Sequence, residues 1–343
     1  MAGENLIFPY FHPTTLVVLD DDVTFLESFV FRHGEALLCR PFDRAEAALA
    51  HIRAAIPNPP RPARCLMSQV DEAGSEDWTP ADRTITVRPS LIQALVRDPS
   101  RFEEVSVVIV DYDMPDMDGI TFCRQLGDSP VRRVMLTGKA DEKIALAAFN
   151  ERLIDGFLIK HEAQVTEKIS KTVEQLKSAY FQSITTPITR MLTLSGGTPL
   201  GDSEFAKYFS SVIRNVGAVE YYLSSHPPGF LLVRDDGSCA FFLVQDEASL
   251  QYHEEMARDC GTAPRALLHD LSLRDRQPWF PTAHGYYDVS CLVWDRYLFP
   301  TTPVSGWWCS LVTEMDTLGM PEQISFSCAA YRETLIASIE ASN

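Results

Sequence analysis

The chain has 343 residues, of which 45% are hydrophobic and 22% charged, a composition typical of a folded globular protein. Its formal net charge of −17 opposes charge-driven binding to nucleic acid or to an anionic membrane, because such binding needs clustered Lys and Arg. The sequence has no apolar run of about 18 residues and no secretory-type start, so we expect no membrane span and predict a cytoplasmic location.

The first part of the chain alternates apolar runs with amphipathic segments. Strands are predicted at residues 15–19, 36–40, 105–110, 133–136 and 156–159, with helices at 24–31, 44–55 and 142–150. Continuous apolar strands that alternate with helices indicate a parallel sheet covered on both faces. We therefore predict an α/β domain over residues 1–160.

Residues 56–100 form an insertion between the second and third predicted strands. A crossover between parallel strands needs only about a dozen residues, so this segment is longer than the connection demands. It contains the proline-rich run IPNPPRPAR, the acidic run DEAGSEDW and a predicted helix near residues 91–97. Two interpretations stand: a tolerated surface excursion, or a loop that docks a partner.

Residues 161–200 are predicted to form a helical linker or dimerisation helix. One apolar stripe recurs every three or four residues along it. Its members are Val165, Ile169, Val173, Leu176, Tyr180 and Ile184. Pro187 and the later run LSGGTPLGDS are predicted to break the helix. The stripe is expected either to pack within the chain or to form the seam of a homodimer.

Residues 201–343 are predicted to form a separate α+β domain. A helix follows a cap near residues 202–203, and then come strands in VEYYL and a hairpin that turns at residues 235–238. A helix at residues 247–258, strands in YYDVSCLVW and SGWWCSLVT, and a helix from Ala329 complete the pattern. The type of this domain does not follow from the pattern alone.

Polar side chains follow four of the predicted parallel strands at their carboxyl ends. They are Asp20 and Asp21 after the first strand, Asp111 after the third, Thr137 after the fourth and Lys160 after the fifth. Ligands of an open parallel sheet bind beyond this edge. Crowded carboxylates repel one another unless a cation neutralises them, and oxygen ligands are what Mg²⁺ prefers. A hydroxyl and an ammonium suit the oxygens of a phosphoryl group, so we predict a site for Mg²⁺ and phosphoryl.

The run DYDMPDMDG at residues 111–119 fits the pattern D-x-x-M-P-x-M-D-G. Together with the acid pair, the Thr and the Lys at the other strand ends, it resembles the CheY-like receiver domain of two-component response regulators. The resemblance covers about residues 14–160 and is interrupted by the insertion. It implies a flavodoxin-like, doubly wound parallel sheet of five strands.

The resemblance also implies roles for the acidic residues. Asp111 would be the phosphoacceptor, attacking the phosphohistidine of a sensor histidine kinase or of a histidine phosphotransfer protein. Asp20 and Asp21 would hold Mg²⁺, Asp21 directly and Asp20 through water, together with Asp111 and the backbone carbonyl of Asp113.

Three further positions match the family. Thr137 and Lys160 would contact the phosphoryl oxygens, and Phe157 matches the aromatic switch position that packs inward when Thr137 moves. One position departs from the family, in which a proline with a cis peptide bond usually follows the lysine. Here His161 follows, and a cis bond before it would cost roughly 2.5–4 kcal/mol relative to trans.

The last part of the chain lacks the basic recognition helix of the helix-turn-helix domains with which response regulators commonly end. His269-Asp270 and the run HGYYD at residues 284–288 echo HD-type phosphohydrolases, but the other metal-binding histidines of that family are missing. A receiver joined to such a domain resembles the Legionella-type quorum-sensing response regulators.

We therefore predict a response regulator that is not itself an enzyme. Phosphorylation of Asp111 would modulate homodimerisation or the binding of a protein or small molecule, in a pathway such as quorum sensing. The alternative is a transcriptional or RNA-level regulator whose output domain binds nucleic acid through a local basic patch. An unrecognised enzymatic output domain is a third option.

Overall fold

The computed structural model of the protein describes residues 7–70, 83–138, 142–160, 165–259, 261, 263–281 and 293–341. The chain separates into two compact units, each named here after its main sheet. The parallel unit contains His12–Ala63, Pro99–Thr186 and Cys328–Asn343, and the antiparallel unit contains Met1–Phe11, Arg64–Asp98 and Pro187–Ser327. None of the described helices is long and apolar enough to cross a membrane.

The described strands are β1 (Tyr10–Phe11), β2 (Thr15–Leu19), β3 (Leu38–Phe42), β4 (Leu66–Val70), β5 (Arg83–Val87), β6 (Val105–Asp111), β7 (Arg132–Thr137), β8 (Gly156–Ile159), β9 (Ala218–Ser225), β10 (Pro228–Arg234), β11 (Cys239–Asp246), β12 (Arg276–Pro278), β13 (Leu298–Pro300), β14 (Thr302–Val304) and β15 (Trp307–Val312). The described helices are α1 (Val23–His33), α2 (Ala45–Ala55), α3 (Arg61–Arg64), α4 (Pro89–Ala94), α5 (Gly119–Gln125), α6 (Glu142–Asn150), α7 (Val165–Ser195), α8 (Ser203–Val216), α9 (Glu247–Asp259), α10 (Arg265–Leu273) and α11 (Cys328–Glu340).

The sheet of the parallel unit has five strands in the order β3-β2-β6-β7-β8, and every neighbouring pair is parallel. The central strands β2 (TLVVL) and β6 (VSVVIVD) are buried along their whole length. Such continuous runs of β-branched and aliphatic residues are typical of strands with no solvated face. The predicted flavodoxin-like, doubly wound fold is confirmed for this part of the chain.

Helices cover both faces of this sheet. One face buries Val108 and Val110 of β6 under α2, α5 and α6, and the other buries Val107 and Ile109 under α1 and α7. Successive side chains of a strand point to opposite faces, so one apolar strand supplies both cores. The strand ends are thereby held at a fixed edge of the sheet.

The apolar stripe of α7 is buried within the parallel unit. Ile169 and Val173 are each 3% exposed in the core of the sheet, and Val165 and Leu176 pack beside them. Tyr180, further along the stripe, is also 3% exposed. Packing within the chain, one of the two expectations for this stripe, is therefore confirmed.

Helix α7 continues past Pro187, so the prediction that this residue breaks the helix is wrong. The helix spans 31 residues and ends at Ser195, before a Gly-Gly pair with positive φ values. A proline inside a helix removes one backbone hydrogen bond. Phe181 and Ile188 on either side of it are fully buried, and their packing outweighs the loss because tertiary contacts supply most helical stability in proteins.

The antiparallel unit is built on a six-stranded sheet in the order β1-β9-β10-β11-β15-β14. The predicted hairpin lies between β10 and β11, and its turn contains Gly237 with a φ of +87°. The carboxylate of Asp236 accepts a hydrogen bond from the backbone N–H of Ser238, which closes this turn. The predicted α+β class is confirmed here as well.

Aromatic residues join α8 to this sheet. The helix begins after Asp202, as predicted, and the carboxylate of Asp202 accepts hydrogen bonds from two backbone N–H groups of the first turn. The ring centroid of Phe209 lies 4.4 Å from that of Phe230 and 5.6 Å from that of Phe242, two residues paired on neighbouring strands. Phe205 stacks beside Phe209 on the same helix.

Part of the insertion belongs to the antiparallel unit. Residues Arg64–Asp98 cluster with it, β4 and β5 pair as an antiparallel hairpin, and α4 contacts β9. The hydroxyl of Ser224 on β9 donates a hydrogen bond to Oε1 of Gln93 on α4 at 3.1 Å. The acidic run DEAGSEDW lies outside the described residues.

The last helix belongs to the parallel unit. On α11, the hydroxyl of Tyr331 lies 3.2 Å from Oγ1 of Thr15, and its ring centroid lies 5.5 Å from that of Phe102. The two compact units therefore divide the chain at other points than the predicted boundaries.

Most of the predicted strand YYDVSCLVW lies outside the described residues, and Trp294 at its end begins a 3₁₀ turn.

A buried charged network lies beside β6 in the parallel unit. Glu104 accepts a hydrogen bond from Nε of Arg61 and another from the Tyr180 hydroxyl, both at 2.5 Å. His12 Nε2 lies 3.8 Å from the same carboxylate. Arg61 and Glu104 are each 2% exposed, and their opposite charges help to offset the cost of burying them.

Replacing the buried carboxylate should therefore destabilise the protein strongly. We expect Glu104→Ala to lower the free energy of unfolding by about 3–5 kcal/mol, because Arg61 would remain buried without its carboxylate. Urea unfolding followed by circular dichroism measures the effect. The neighbouring, exposed Glu103 is the matched control, and Glu103→Ala should unfold like the wild type. Equal unfolding midpoints for the two variants would contradict a stabilising role for the network.

Candidate functional site

Four of the sequence-predicted residues lie at the carboxyl edge of the parallel sheet. Asp20 follows β2, Asp111 ends β6, Thr137 ends β7 and Lys160 follows β8. Because these strands are parallel, their carboxyl ends meet at the same edge. Because both faces of the sheet are buried, the backbone positions of these four residues are fixed.

The ammonium of Lys160 contacts two carboxylates at this edge. Its Nζ lies 2.7 Å from Oδ2 of Asp20 and 3.0 Å from Oδ2 of Asp111. The second oxygen of each carboxylate accepts a backbone N–H, from Asp22 to Asp20 at 3.0 Å and from Tyr112 to Asp111 at 2.9 Å. Both carboxylates are therefore held by one main-chain donor and one shared cation.

Asp21 completes a cluster of three carboxylates. One oxygen each of Asp20, Asp21 and Asp111 lies within 4.8 Å of the others. Asp20 is fully buried and Asp111 is 6% exposed, whereas Asp21 is exposed to solvent. A cluster that is buried on one side and open on the other can hold a cation that also keeps water or substrate oxygens as ligands.

The charges of the cluster are incompletely balanced. Burial raises the pKa of Asp20 and of Asp111 above the ordinary value of an aspartate, although hydrogen bonds from Lys160 oppose this. The charge of Asp20 raises the pKa of Asp111 further. Burial lowers the pKa of Lys160, but its hydrogen bonds to Asp20 and Asp111, together with the negative charges of these residues, outweigh burial and raise it. Further positive charge at this edge would stabilise the ionised carboxylates.

The side chain of Thr137 is buried at this edge but makes no hydrogen bond to a described residue. Its residue is fully buried, and its Oγ1 has no hydrogen-bond partner among the described residues. A buried hydroxyl without a partner costs on the order of 1–3 kcal/mol, so it is an available donor for an anion that enters the site.

The remaining predicted residues have varied surroundings. Phe157 is half-buried and packs on the core face covered by α2, α5 and α6. Asp113 is exposed in the loop after β6. The Lys160–His161 peptide bond, which departs from the family pattern, lies outside the described residues.

Two contacts of the site did not follow from the sequence pattern. The Lys160 ammonium lies 5.1 Å from the centre of the Phe25 ring on α1, an arrangement that favours a cation over an aromatic face. Phe25 lies about one helical turn after Asp21, and this spacing is the only feature of the sequence that suggests the contact. A second contact involves Gly119, where an added Cβ would lie 2.5 Å from the backbone oxygen of Asp111.

The close approach at Gly119 explains why the acidic run DYDMPDMDG ends in Asp-Gly. Asp118 caps α5 by accepting a hydrogen bond from the backbone N–H of Thr121 at 2.7 Å, and α5 then starts directly against the end of β6. The backbone N–H of Gly119 also donates to the carbonyl of Tyr112 at 3.0 Å. The Asp-Gly pair therefore fixes the loop that carries Asp111.

Comparison with known proteins agrees with this geometry. Residues 91–173 match the family model of the response regulator receiver domain. The structure of the Legionella pneumophila response regulator LqsR is 32% identical in sequence, with a TM-score of 0.69, and the match covers 89% of this chain and 89% of that chain. The chain belongs to the response regulators. No curated protein matches this response regulator.

Other solved structures match about half of this response regulator. An adenylate cyclase from Rhodopirellula baltica is 18% identical over 51% of this chain and 94% of that chain, with a TM-score of 0.33. A receiver domain protein from Methanospirillum hungatei is 16% identical over 49% of this chain and 96% of that chain, with a TM-score of 0.30. Similarity at this level does not bear on function.

Proposed function

We propose that this response regulator is a phosphorylation switch in which Asp111 accepts a phosphoryl group from a sensor histidine kinase or a histidine phosphotransfer protein. The observation that carries the proposal is the placement of Asp111 at the edge of the sheet, 3.0 Å from the Lys160 ammonium and beside Asp20 and Asp21. Asp111 is 6% exposed and lies beside the exposed Asp21, so the groups that orient it stand at the open side of the cluster.

In the proposed reaction, a carboxylate oxygen of Asp111 forms a bond to phosphorus. The bond between phosphorus and the donor histidine nitrogen breaks, and that nitrogen keeps the electron pair. The Lys160 ammonium and the Thr137 hydroxyl would then donate hydrogen bonds to the phosphoryl oxygens. Thr137 suits this role because its hydroxyl has no partner among the described residues.

The acidic cluster fits Mg²⁺. Its donors are all oxygens, contributed by Asp20, Asp21 and Asp111, with the backbone carbonyl of Asp113 as a proposed fourth. Asp21 would bind the cation directly and Asp20 through water. When bound, the cation supplies positive charge that offsets the charge of the carboxylates and of the phosphoryl group. The raised pKa values of Asp20 and Asp111 support a need for such charge.

The output would follow from a local rearrangement. Movement of Thr137 toward a phosphoryl group would allow Phe157, which is only half-buried, to pack further inward. We propose that this change modulates homodimerisation or the binding of a protein or small molecule, and that the pathway is quorum sensing. The similarity to a Legionella pneumophila response regulator supports the regulatory role in general terms.

Replacement of Asp111 tests the phosphoacceptor. The full chain is incubated with acetyl phosphate and Mg²⁺, and its intact mass is measured. The wild type should gain one phosphoryl group, and Asp111→Asn should gain none because an amide is not a nucleophile here. Asp116→Asn, an exposed change in the same loop, is the matched control and should be phosphorylated like the wild type. Equal phosphorylation of Asp111→Asn and the wild type would contradict the proposal.

Replacement of Asp21 tests the cation site. We expect Asp21→Asn to bind Mg²⁺ at least about tenfold more weakly in a calorimetric titration, because close charge pairs contribute energies of this order or more. Asp22→Asn is the matched control, since Asp22 caps α1 and asparagine caps helices equally well. If both variants bind Mg²⁺ like the wild type, Asp21 is not a ligand.

A further inference from the structure

A cavity of about 440 Å³ lies within the antiparallel unit. Small-molecule sites in proteins are concave and range from roughly 300 to 1,000 Å³. Strand β5, the end of α7, the Gly-Gly loop that follows α7, the turn between β9 and β10, and strand β15 all contribute to its walls. The cavity is separate from the acidic site, which belongs to the parallel unit.

The lining of the cavity is mainly apolar, and its described residues are uncharged. Leu192, Leu223, Phe230 and Val244 are buried in its walls, and the half-buried Trp307 contributes an aromatic side. None of the described lining residues carries a charged side chain. A charged ligand would lose its hydration here without gaining a counterion, so the chemistry favours a neutral one.

Several hydroxyl groups belong to the lining. Oγ1 of Thr198 is buried and has no hydrogen-bond partner among the described residues. Two other hydroxyls of the lining are already used as donors, Ser195 to the carbonyl of Met191 at 2.9 Å and Ser224 to Oε1 of Gln93 at 3.1 Å. An oxygen of a ligand would satisfy the Thr198 hydroxyl, which is otherwise costly to bury.

We propose that this cavity binds a neutral, mainly aliphatic small molecule whose single hydroxyl or carbonyl oxygen pairs with Thr198. The proposal deepens the small-molecule output suggested above and rests on it. Its site lies in the antiparallel unit and holds none of the residues assigned to phosphorylation.

The test uses the full, unphosphorylated chain and 1-decanol as the probe, with decanoate and decylammonium as charged analogues of the same length. Binding is followed by tryptophan fluorescence, since Trp307 lines the cavity, and the stoichiometry is measured by native mass spectrometry. We expect one molecule of decanol per chain and at least about tenfold weaker binding of both charged analogues, because the lining offers no counterion. Tighter binding of decanoate, or equal binding of all three probes, would overturn the proposal.

Two pairs of variants locate the binding. Met191→Trp adds bulk to the lining and should abolish decanol binding, whereas Leu194→Trp, on the same helix but 88% exposed and outside the lining, should not. Thr198→Val keeps the side-chain shape and should weaken decanol binding severalfold. Its control, Thr193→Val, removes an exposed hydroxyl outside the lining and should bind like the wild type.

These variants also separate the possible failures. Circular dichroism checks that Met191→Trp is folded, and Thr198→Val gives an independent test because it is nearly isosteric. Wild-type affinity for decanol in both Met191→Trp and Thr198→Val would overturn the proposal. Because the chain is not phosphorylated in this assay, that outcome would leave the Asp111 experiment unaffected, and failure at Asp111 would leave decanol binding unaffected.

Discussion

The contact of one ammonium with two carboxylates organises the parallel unit around its carboxyl edge. Lys160 follows the edge strand β8, yet its Nζ reaches Asp111 at the end of β6 and Asp20 after β2. Asp20 is fully buried, and a buried carboxylate is tolerated only when cations and hydrogen bonds compensate it. The side chains of three strands therefore depend on one another at a single point, which is also where the proposed chemistry takes place.

The rest of the unit keeps that point rigid. Helices on both faces bury β6 completely, so its last residue, Asp111, cannot shift without disturbing two cores. Gly119 lets α5 start against the backbone of Asp111, and Asp22 and Asp118 cap the helices that follow β2 and β6. Catalytic groups held by a packed scaffold need little reorganisation when a charged group arrives.

Local sequence pattern predicted the five strands of the parallel sheet and the polar residues at their carboxyl ends. Its strands are continuous apolar runs that end in distinctive polar residues, and a parallel sheet brings such ends together whatever the lengths of the connections. The pattern also predicted the start of α8 from its cap near Asp202. Each of these features depends on residues close together in the chain.

Features that depend on distant contacts did not follow from pattern. The passage of α7 through Pro187 rests on the burial of Phe181 and Ile188, which local propensity does not report. Strand β1 has two residues, too few to show an alternation, and exists because it pairs with β9. The cavity beside Thr198 is formed by segments that are far apart in sequence, so no local motif predicts it.

The most direct measurement of the central claim is to locate the phosphoryl group chemically. Phosphorylated protein is reduced with borohydride, which converts an aspartyl phosphate to homoserine, and peptides are then sequenced by mass spectrometry. The account predicts homoserine at position 111 and at no other aspartate. Homoserine at another position of the acidic loop, or at none, would contradict the assignment of Asp111 as the phosphoacceptor.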